Sequence, residues 1–272
     1  MGVITGINIF DFAANEWDIT GLTRDPYFLK FVDLLEIQGY EDITAFGCGS
    51  GRQLRKLAEK TTGRVRGIDE SSKMVEIAKK ATYDLPNVTV YQGDATSAVL
   101  KEHSADIVLS YMVFQWVHPR KEFLGQNIRV VRPGGKVACA TVTDEEKPTF
   151  WNYMEYLQGL INEFPYYYGP DTPQGLMRFP RFSPRDLEKE FQEAGLTNVR
   201  TFGIFEENTN NSRYYMKRAD LITNGSCFKP LTSNPELKEY VIETLRPQKL
   251  TELRDRDGKL VMERTVMAVA NA

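Results

Sequence analysis

The chain has 272 residues, 42% of them hydrophobic and 26% charged, with a formal net charge of -3 and a pI near 5.6. That is enough apolar material for a sizeable core, which excludes a disordered chain or a minimal scaffold. Lysines and arginines scattered along an acidic chain leave no electrostatic footprint for a nucleic-acid backbone, so no nucleic-acid partner is expected.

The cysteines, Cys48, Cys139 and Cys227, are odd in number and widely spaced. They suit neither a disulfide framework nor a zinc site and read as reduced thiols, with no metal expected. No basic region followed by an apolar stretch opens the sequence, and no window approaches the roughly 18 consecutive apolar residues of a membrane span. A cytoplasmic protein without a membrane partner is the expectation.

In chain order, the segment FDFAANEWD at 10–18 carries apolar residues at Phe10, Ala13, Ala14 and Trp17, the spacing of an amphipathic helix. Short runs rich in β-branched residues then recur at 43–46, 64–68, 88–91, 106–110 and 135–141, separated by segments of helical period. Between the first two, Leu54, Leu57 and Ala58 repeat on one face, with Gly63 placed as a C-cap. Between the next two, Ser71 or Ser72 caps a helix whose apolar face is Met74, Ile77, Ala78 and Ala81. Repeated βαβ units of this length predict a parallel sheet covered by helices on both faces.

Beyond residue 141 the pattern changes. Residues 149–168 form an aromatic-dense helical segment followed by Pro170, Pro173 and Pro180. Ser183-Pro184-Arg185-Asp186 reads as an N-cap, a proline at the first helical position and an acidic first turn, and the helix it opens ends at Gly195. A strand follows at 198–202, residues 212–253 are mainly helical, and VMERTVMAVA at 261–270 reads as a final strand.

In an open parallel sheet, ligands bind beyond the carboxyl ends of the strands. The first run exits into Gly47-Cys48-Gly49-Ser50-Gly51, where glycines permit tight turns and keep Cβ atoms away from a ligand. The spacing is G-x-G-x-G, which departs from the dinucleotide fingerprint G-x-G-x-x-G. Gly67-Ile68-Asp69 puts a carboxylate at the second strand end, suited to accept from both ribose hydroxyls, and Gln92-Gly93-Asp94-Ala95 puts one at the third, suited to an exocyclic amine. Each aspartate alone is as often a cap or turn former.

Together FGCGSG, GIDES, YQGDA, DIVLSYMVFQWV and VVRPGGKVACAT resemble the successive motifs of class I S-adenosylmethionine-dependent methyltransferases, strongly over about residues 40–145. The resemblance implies an α/β Rossmann-like sheet of seven strands in the order 3-2-1-4-5-7-6, with strand 7 antiparallel. It implies a single domain with N-terminal lid helices over 1–39, a cofactor-binding core over 40–145, cap insertions over 146–182 and 209–255, and a closing helix and strands over 183–208 and 256–272. Carried over by motif, Gly47, Gly49 and Gly51 line the methionine moiety of the cofactor S-adenosylmethionine. Asp69, followed by Glu70, holds the ribose; Asp94 with Ala95 reads the adenine; Ser110 and Tyr111 flank the methyl group. The family usually has an acidic residue two positions before the first glycine, where this chain has Ala45. Asp11, Asp18 or the Phe46 carbonyl are candidate substitutes.

Phe114-Gln115-Trp116 is similar to the pair found after the fourth strand in trans-aconitate and juvenile hormone acid methyltransferases, which esterify small carboxylates. A carboxylate is nucleophilic at neutral pH and needs donors and orientation rather than a general base, which Gln115 and Trp116 would supply. His118, beside Pro119, is the third candidate catalytic residue. Phe12, Trp17, Trp151, Tyr153 and Tyr167 are candidates to line a substrate pocket, and Arg178 and Arg181 to anchor an anionic group. The expected activity is methyl transfer to a small organic molecule, with a carboxylate as acceptor. Base-assisted O-, N- or C-methylation of a natural-product intermediate and a non-catalytic cofactor-binding module are the alternatives.

Overall fold

The computed structural model describes residues 25–143, 182–208, 235–240, 243–244 and 260–272. The elements are α1 (Asp25–Asp33), β1 (Ile43–Phe46), α2 (Arg52–Ala58), β2 (Val65–Asp69), α3 (Ser72–Ala81), β3 (Val88–Gln92), β4 (Ala105–Tyr111), α4 (Arg120–Val130), β5 (Val131–Val142), α5 (Pro184–Glu193), β6 (Thr197–Asn208), α6 (Pro235–Tyr240) and β7 (Leu260–Asn271). The strands form one sheet in the order β3-β2-β1-β4-β5-β7-β6. Strands β1 to β5 pair in parallel, and β7 runs antiparallel to β5, as the motif series implied.

The chain divides into two compact units. One comprises Trp17–Asp144, Pro180–Ile204 and Thr265–Ala272 and holds β1 to β5 and the helices that cover them. The other comprises Met1–Glu16, Glu145–Phe179 and Phe205–Arg264, and contains α6 and the ends of β6 and β7 that fall in those ranges.

Burial along the strands follows from their positions. Every residue of β1 is buried, as a central strand covered on both faces requires. At the edge, β3 buries only Val90 fully and leaves Tyr91 exposed. On the helices, Ser71 rather than Ser72 caps α3, its side chain accepting from Met74 N. The buried face of α3 is Met74, Val75 and Ala78, with Ile77 only half-buried, so the stripe is rotated from the expected one. Gly63 is not a C-cap: α2 ends with Glu59 as its cap, and a Cβ on Gly63 would run into the Glu41 carbonyl. At α5 the structure bears out the reading, with a capping box between Ser183 and Asp186, Pro184 in the first turn and Gly195 beyond the end at φ +94°.

The amino ends of the strands are tied by charge. Asp42 accepts from Arg64 N, Nε and NH2 at 2.9, 3.2 and 2.7 Å and from Arg132 NH2 at 2.9 Å. Arg132 also pairs with Asp106 at 2.6 Å, and Asp106 accepts from Asp42 N at 2.8 Å. The Arg64 side-chain hydrogen bonds, followed by those of Arg132, hold the Asp42 carboxyl well below the usual carboxylate range, against the opposing effect of burial. A carboxyl depressed in the folded state stabilises above its ordinary value, and that contribution is lost as the pH falls through the depressed one. Asp42→Asn is therefore expected to lower stability by roughly 1–3 kcal/mol near neutral pH, and the gap should narrow as the pH drops below about 4. Denaturant unfolding of parent and variant across that range checks it; a gap of constant size would mean that the charge is immaterial.

Candidate functional site

The turn leaving β1 is closed by backbone bonds: Gly47 N and Cys48 N both donate to the Ile68 carbonyl at 2.7 and 3.0 Å, and Gly51 N donates to Cys48 O at 3.1 Å. Gly47, Gly49 and Gly51 have φ of 67°, 54° and 82°, the left-handed region that favours glycine. Their reasons otherwise differ. A Cβ on Gly47 would collide with the Val113 side chain, from the loop after β4, and one on Gly51 would lie 2.8 Å from the Cα of Ala78 in α3. Among the described residues nothing lies within 4 Å of a Cβ placed on Gly49. Of the three glycines expected to clear space for a ligand, Gly49 is the one facing open space, while the others permit close packing of neighbouring elements.

Asp69 bridges this loop to the next helix. Its Oδ2 accepts from Gly49 N at 2.8 Å and its Oδ1 from Ser71 N at 3.0 Å. The loop-orienting carboxylate is thus supplied by the end of β2 rather than from within β1, where Ala45 is buried between Gly67 and Leu109. Gly67 also makes room, since a Cβ there would strike Leu54 and the Cys48 sulfur. Burial pushes the Cys48 thiol well above its ordinary range, so this sulfur is not a nucleophile. Glu70, next to Asp69, is exposed.

At the end of β3, Asp94 is exposed and its Oδ1 accepts from Thr96 N and Thr96 Oγ1, both at 2.7 Å. It forms a turn there, and both of these bonds fall on one oxygen. Ala95 is half-buried against the core, and Gly93 N donates to Asp69 O at 3.0 Å, drawing the ends of β2 and β3 together.

The exit of β4 is more enclosed than its sequence suggested. Ser110 is completely buried, in register beside Phe46 and Cys139. The Tyr111 ring packs edge-on to Phe28 at 5.2 Å and against Phe31 at 5.8 Å, both from α1. Met112 follows in the left-handed region at φ 59° and is buried, an uncommon state for a residue with a side chain. Gln115 explains how it is held. Its Nε2 donates to the Met112 carbonyl at 3.0 Å, and its Oε1 accepts from Thr141 Oγ1 at 2.8 Å, all in a buried setting. The amide expected to face an acceptor therefore clasps the β4 exit to β5.

Phe114 is core, ringed by Phe123, Phe182 and Phe191. Trp116 is half-buried with its N–H of the backbone donating to Val113 O at 2.8 Å, and His118 is exposed, joined to Pro119 by a cis peptide. Phe12, Trp17, Trp151, Tyr153, Tyr167, Arg178, Arg181, Asp11 and Asp18 lie outside the described residues, as do most of the aromatic segment and of 212–253. Among the described residues, no helix is long and apolar enough to cross a membrane, and no group of three or more His, Cys, Asp or Glu is placed to hold a metal. The left-handed Met112 and its Gln115 clasp carry no local sequence signal, since neither residue type marks a strained turn.

Residues 44–139 match the family described as a methyltransferase domain. The chain is similar to the demethylmenaquinone methyltransferase of Staphylococcus aureus, 30% identical over 162 residues that cover 56% of this chain and 66% of the relative. It is also 38% identical over 113 residues to an uncharacterised 37.1 kDa protein in transposon TN4556 of Streptomyces fradiae, covering 41% of this chain and 33% of that protein. The matched segment thus spans between about a third and two thirds of the length of these relatives. In fold, the chain is similar to a structure of the complex between the Haloferax volcanii Trm112 methyltransferase activator and a methyltransferase, with a TM-score of 0.63 at 19% identity, over 98% of this chain and 99% of that one.

The differing surroundings of the glycines can be read by thermal or chemical unfolding. Gly51→Ala places a methyl against the α3 backbone and is expected to cost roughly 2–4 kcal/mol. Gly49→Ala meets only the left-handed penalty of about 1 kcal/mol. Equal losses at the two positions would show that neighbouring elements do not set the difference.

Proposed function

We propose that this chain, whose residues 44–139 form a methyltransferase domain, transfers a methyl group from S-adenosylmethionine to a small organic molecule, with a carboxylate as acceptor. The observation that carries the reading is the joining of the first three strand ends: Asp69 holds Gly49 N at 2.8 Å, and among the described residues the space above Gly49 stays open. A nucleoside with an amino-acid tail suits such a site. The open backbone at Gly49 takes the methionine end, Asp69 and the exposed Glu70 offer acceptors to the ribose hydroxyls, and Asp94 with the Ala95 backbone faces the adenine.

The cofactor supplies an electrophilic methyl on its sulfonium. What the protein must add is alignment of an acceptor for in-line displacement and exclusion of water. Tyr111, fixed by Phe28 and Phe31, gives a rigid apolar wall beside Ser110 at the β4 exit. Among the described residues 111–119 the titratable side chains are Tyr111, buried, and His118, exposed. A loop without an enclosed base suits an acceptor that arrives already ionised, as a carboxylate does. In this reading Trp116 orients the acceptor, and Gln115 acts one step back by holding the Met112 turn. The aromatic residues Phe12, Trp17, Trp151, Tyr153 and Tyr167, with Arg178 and Arg181, remain the candidates to contact the acceptor's body and charge.

One observation favours a second reading. The Gln115 amide is already engaged at both ends, which removes a donor the carboxylate chemistry would use. Base-assisted transfer through His118 is then the competitor.

Methyl-transfer assays with a panel of small acids and phenols decide between them. For a carboxylate acceptor, kcat stays nearly flat between about pH 6 and 8 and His118→Ala keeps most of its activity. Gln115→Ala and Trp116→Phe should each lose more, since a displaced acceptor costs on the order of a hundredfold. Asp69→Ala is expected to weaken cofactor binding by about tenfold to a hundredfold in calorimetry. A rate that climbs through a pKa near 6.5, approximately that of histidine, together with an indispensable His118, would replace the carboxylate by a base-assisted acceptor. Unchanged cofactor affinity in Asp69→Ala would remove the ribose assignment.

A further inference from the structure

The edge of the sheet carries a cavity of about 570 Å³, of whose lining the methyl-transfer reading uses only Asp94 at one end. It runs beside β2 and β3 and is walled by the segment 97–104. Its volume falls within the roughly 300–1,000 Å³ typical of small-molecule sites. Its two ends differ in charge. Asp94 and Gly93 line one end, at the carboxyl end of β3, whereas Arg64, Arg66 and Arg132 stand toward the amino ends of the strands, with Lys101 and His103 also lining it. Between them the walls are apolar or aromatic, with Ile68, Ala98, Leu100 and the exposed Tyr91.

The arginines are not equivalent. Arg64 and Arg132 are spoken for by Asp42, and Arg132 by Asp106 as well. Arg66 is the exception. It projects from β2 at 9% exposure, and its hydrogen bonds go to Thr44 Oγ1 at 3.3 Å, Ser104 Oγ at 3.1 Å and Ser104 O at 2.9 Å. All three partners are neutral, and together they occupy three of the five N–H donors of a guanidinium. A buried charge is ordinarily paired, because desolvating it alone is unfavourable. Burial and then the nearby Arg64 work against the Arg66 charge, with Asp42 opposing them from a distance rather than in contact. A guanidinium is also the cation suited to a planar or tetrahedral oxyanion through paired donors.

We propose that this cavity is a second ligand site, separate from the strand-end site, which takes a small organic anion. A phosphate or carboxylate group would lie on Arg66 with Lys101, and an apolar or aromatic body would lie along Ile68, Leu100 and Tyr91. The charge gradient fixes the orientation: Asp94 repels the anionic group from the carboxyl end of β3 and the basic end receives it. An anion in the cavity would give the buried guanidinium the counter-charge that Thr44 and Ser104 do not provide. The proposal stands on the cavity and Arg66 alone and does not depend on the identity of the methyl acceptor.

The test is calorimetric titration of the full chain with phenyl phosphate and, separately, with benzoate, each with and without saturating S-adenosylhomocysteine. Binding of at least one probe is expected, undiminished by S-adenosylhomocysteine, and the stronger of the two identifies the preferred oxyanion. Arg66→Gln should weaken that binding by about tenfold or more. Because Arg66 is buried and its loss could disturb folding, Lys101→Ala provides the independent arm: the residue is exposed, and binding should fall severalfold with an unchanged melting temperature. No binding of either probe at millimolar concentration overturns the site. Displacement of the probe by S-adenosylhomocysteine, or parental affinity in Lys101→Ala, overturns it equally.

Discussion

Three strand ends and a helix start meet at Asp69, through its carboxylate and its backbone carbonyl, and the candidate site depends on that meeting. One oxygen takes the Gly49 amide from the loop after β1 and the other takes the Ser71 amide at the start of α3. The backbone of the same residue accepts from Gly93 N, from the end of β3. A carboxylate accepting from backbone N–H groups forms charge-assisted bonds, about twice as strong as neutral ones. The loop is thereby held in a left-handed path that exposes Gly49 and leaves the other two glycines against Val113 and Ala78. Had the tie come from within β1, it would have required a carboxylate at position 45, in a place now buried between Gly67 and Leu109.

The β4 exit works on a different principle. No carboxylate gathers it; instead a strained backbone is held by a neutral side chain. Met112 sits in a left-handed conformation that is unfavourable for a residue with a Cβ, and such conformations persist only where the surroundings over-determine them. Gln115 Nε2 on the Met112 carbonyl, Met112 N on Ala140 O at 2.7 Å and Thr141 on Gln115 Oε1 provide that constraint. Phe114, between them in sequence, points into the aromatic cluster of Phe123, Phe182 and Phe191, with the Arg120 guanidinium 5.3 Å above the Phe182 ring and bonded to Glu190. The loop after β4 is thus pinned from two sides, and its alternate residues serve the core and the clasp.

Which features could be read from sequence follows from the range of the interactions that set them. The strands at 43–46 and 88–91 and the Ser183 cap were legible because hydrophobic runs and capping boxes are local. The order of the sheet was legible through the motif series rather than through any single strand. Gly63 was misread as a cap because its reason is a close approach to Glu41, more than twenty positions earlier in the chain, which no local pattern records. The rotation of the α3 stripe toward Val75 has the same origin, since the covering of a helix face is a tertiary fact. Asp69 was found by its place at a strand end, but its bonds to Gly49 and Ser71 were not, because a motif names the residue and not its partner. Gln115 was found for the wrong reason: a polar residue after β4 suggested a ligand contact, and its burial turns it inward to Met112 and Thr141.

The two ends of the parallel sheet divide the polar work of the fold. At the carboxyl ends of β1 to β3, polar atoms organise backbone and, among the described residues, leave space open over Gly49. At the amino ends, charges close upon one another: Glu41 gathers the amides of Gln38, Gly39 and Tyr40 at 2.7, 3.0 and 3.0 Å, and Asp42 gathers Arg64 and Arg132. These closures lock the turn before β1 and the starts of β2 and β5, so the strands enter the sheet in fixed register. Arg66 breaks the pattern, for it lies between the two ends on β2 with neutral partners, in a sheet where its neighbours' charges are matched. A strand that only needed to fill the interior would be better served there by an apolar side chain, because replacing buried charge by packed hydrocarbon is often neutral or stabilising. The retention of a buried guanidinium at the wall of a cavity therefore calls for a reason outside packing, and an oxyanion is the ligand whose charge and shape supply one.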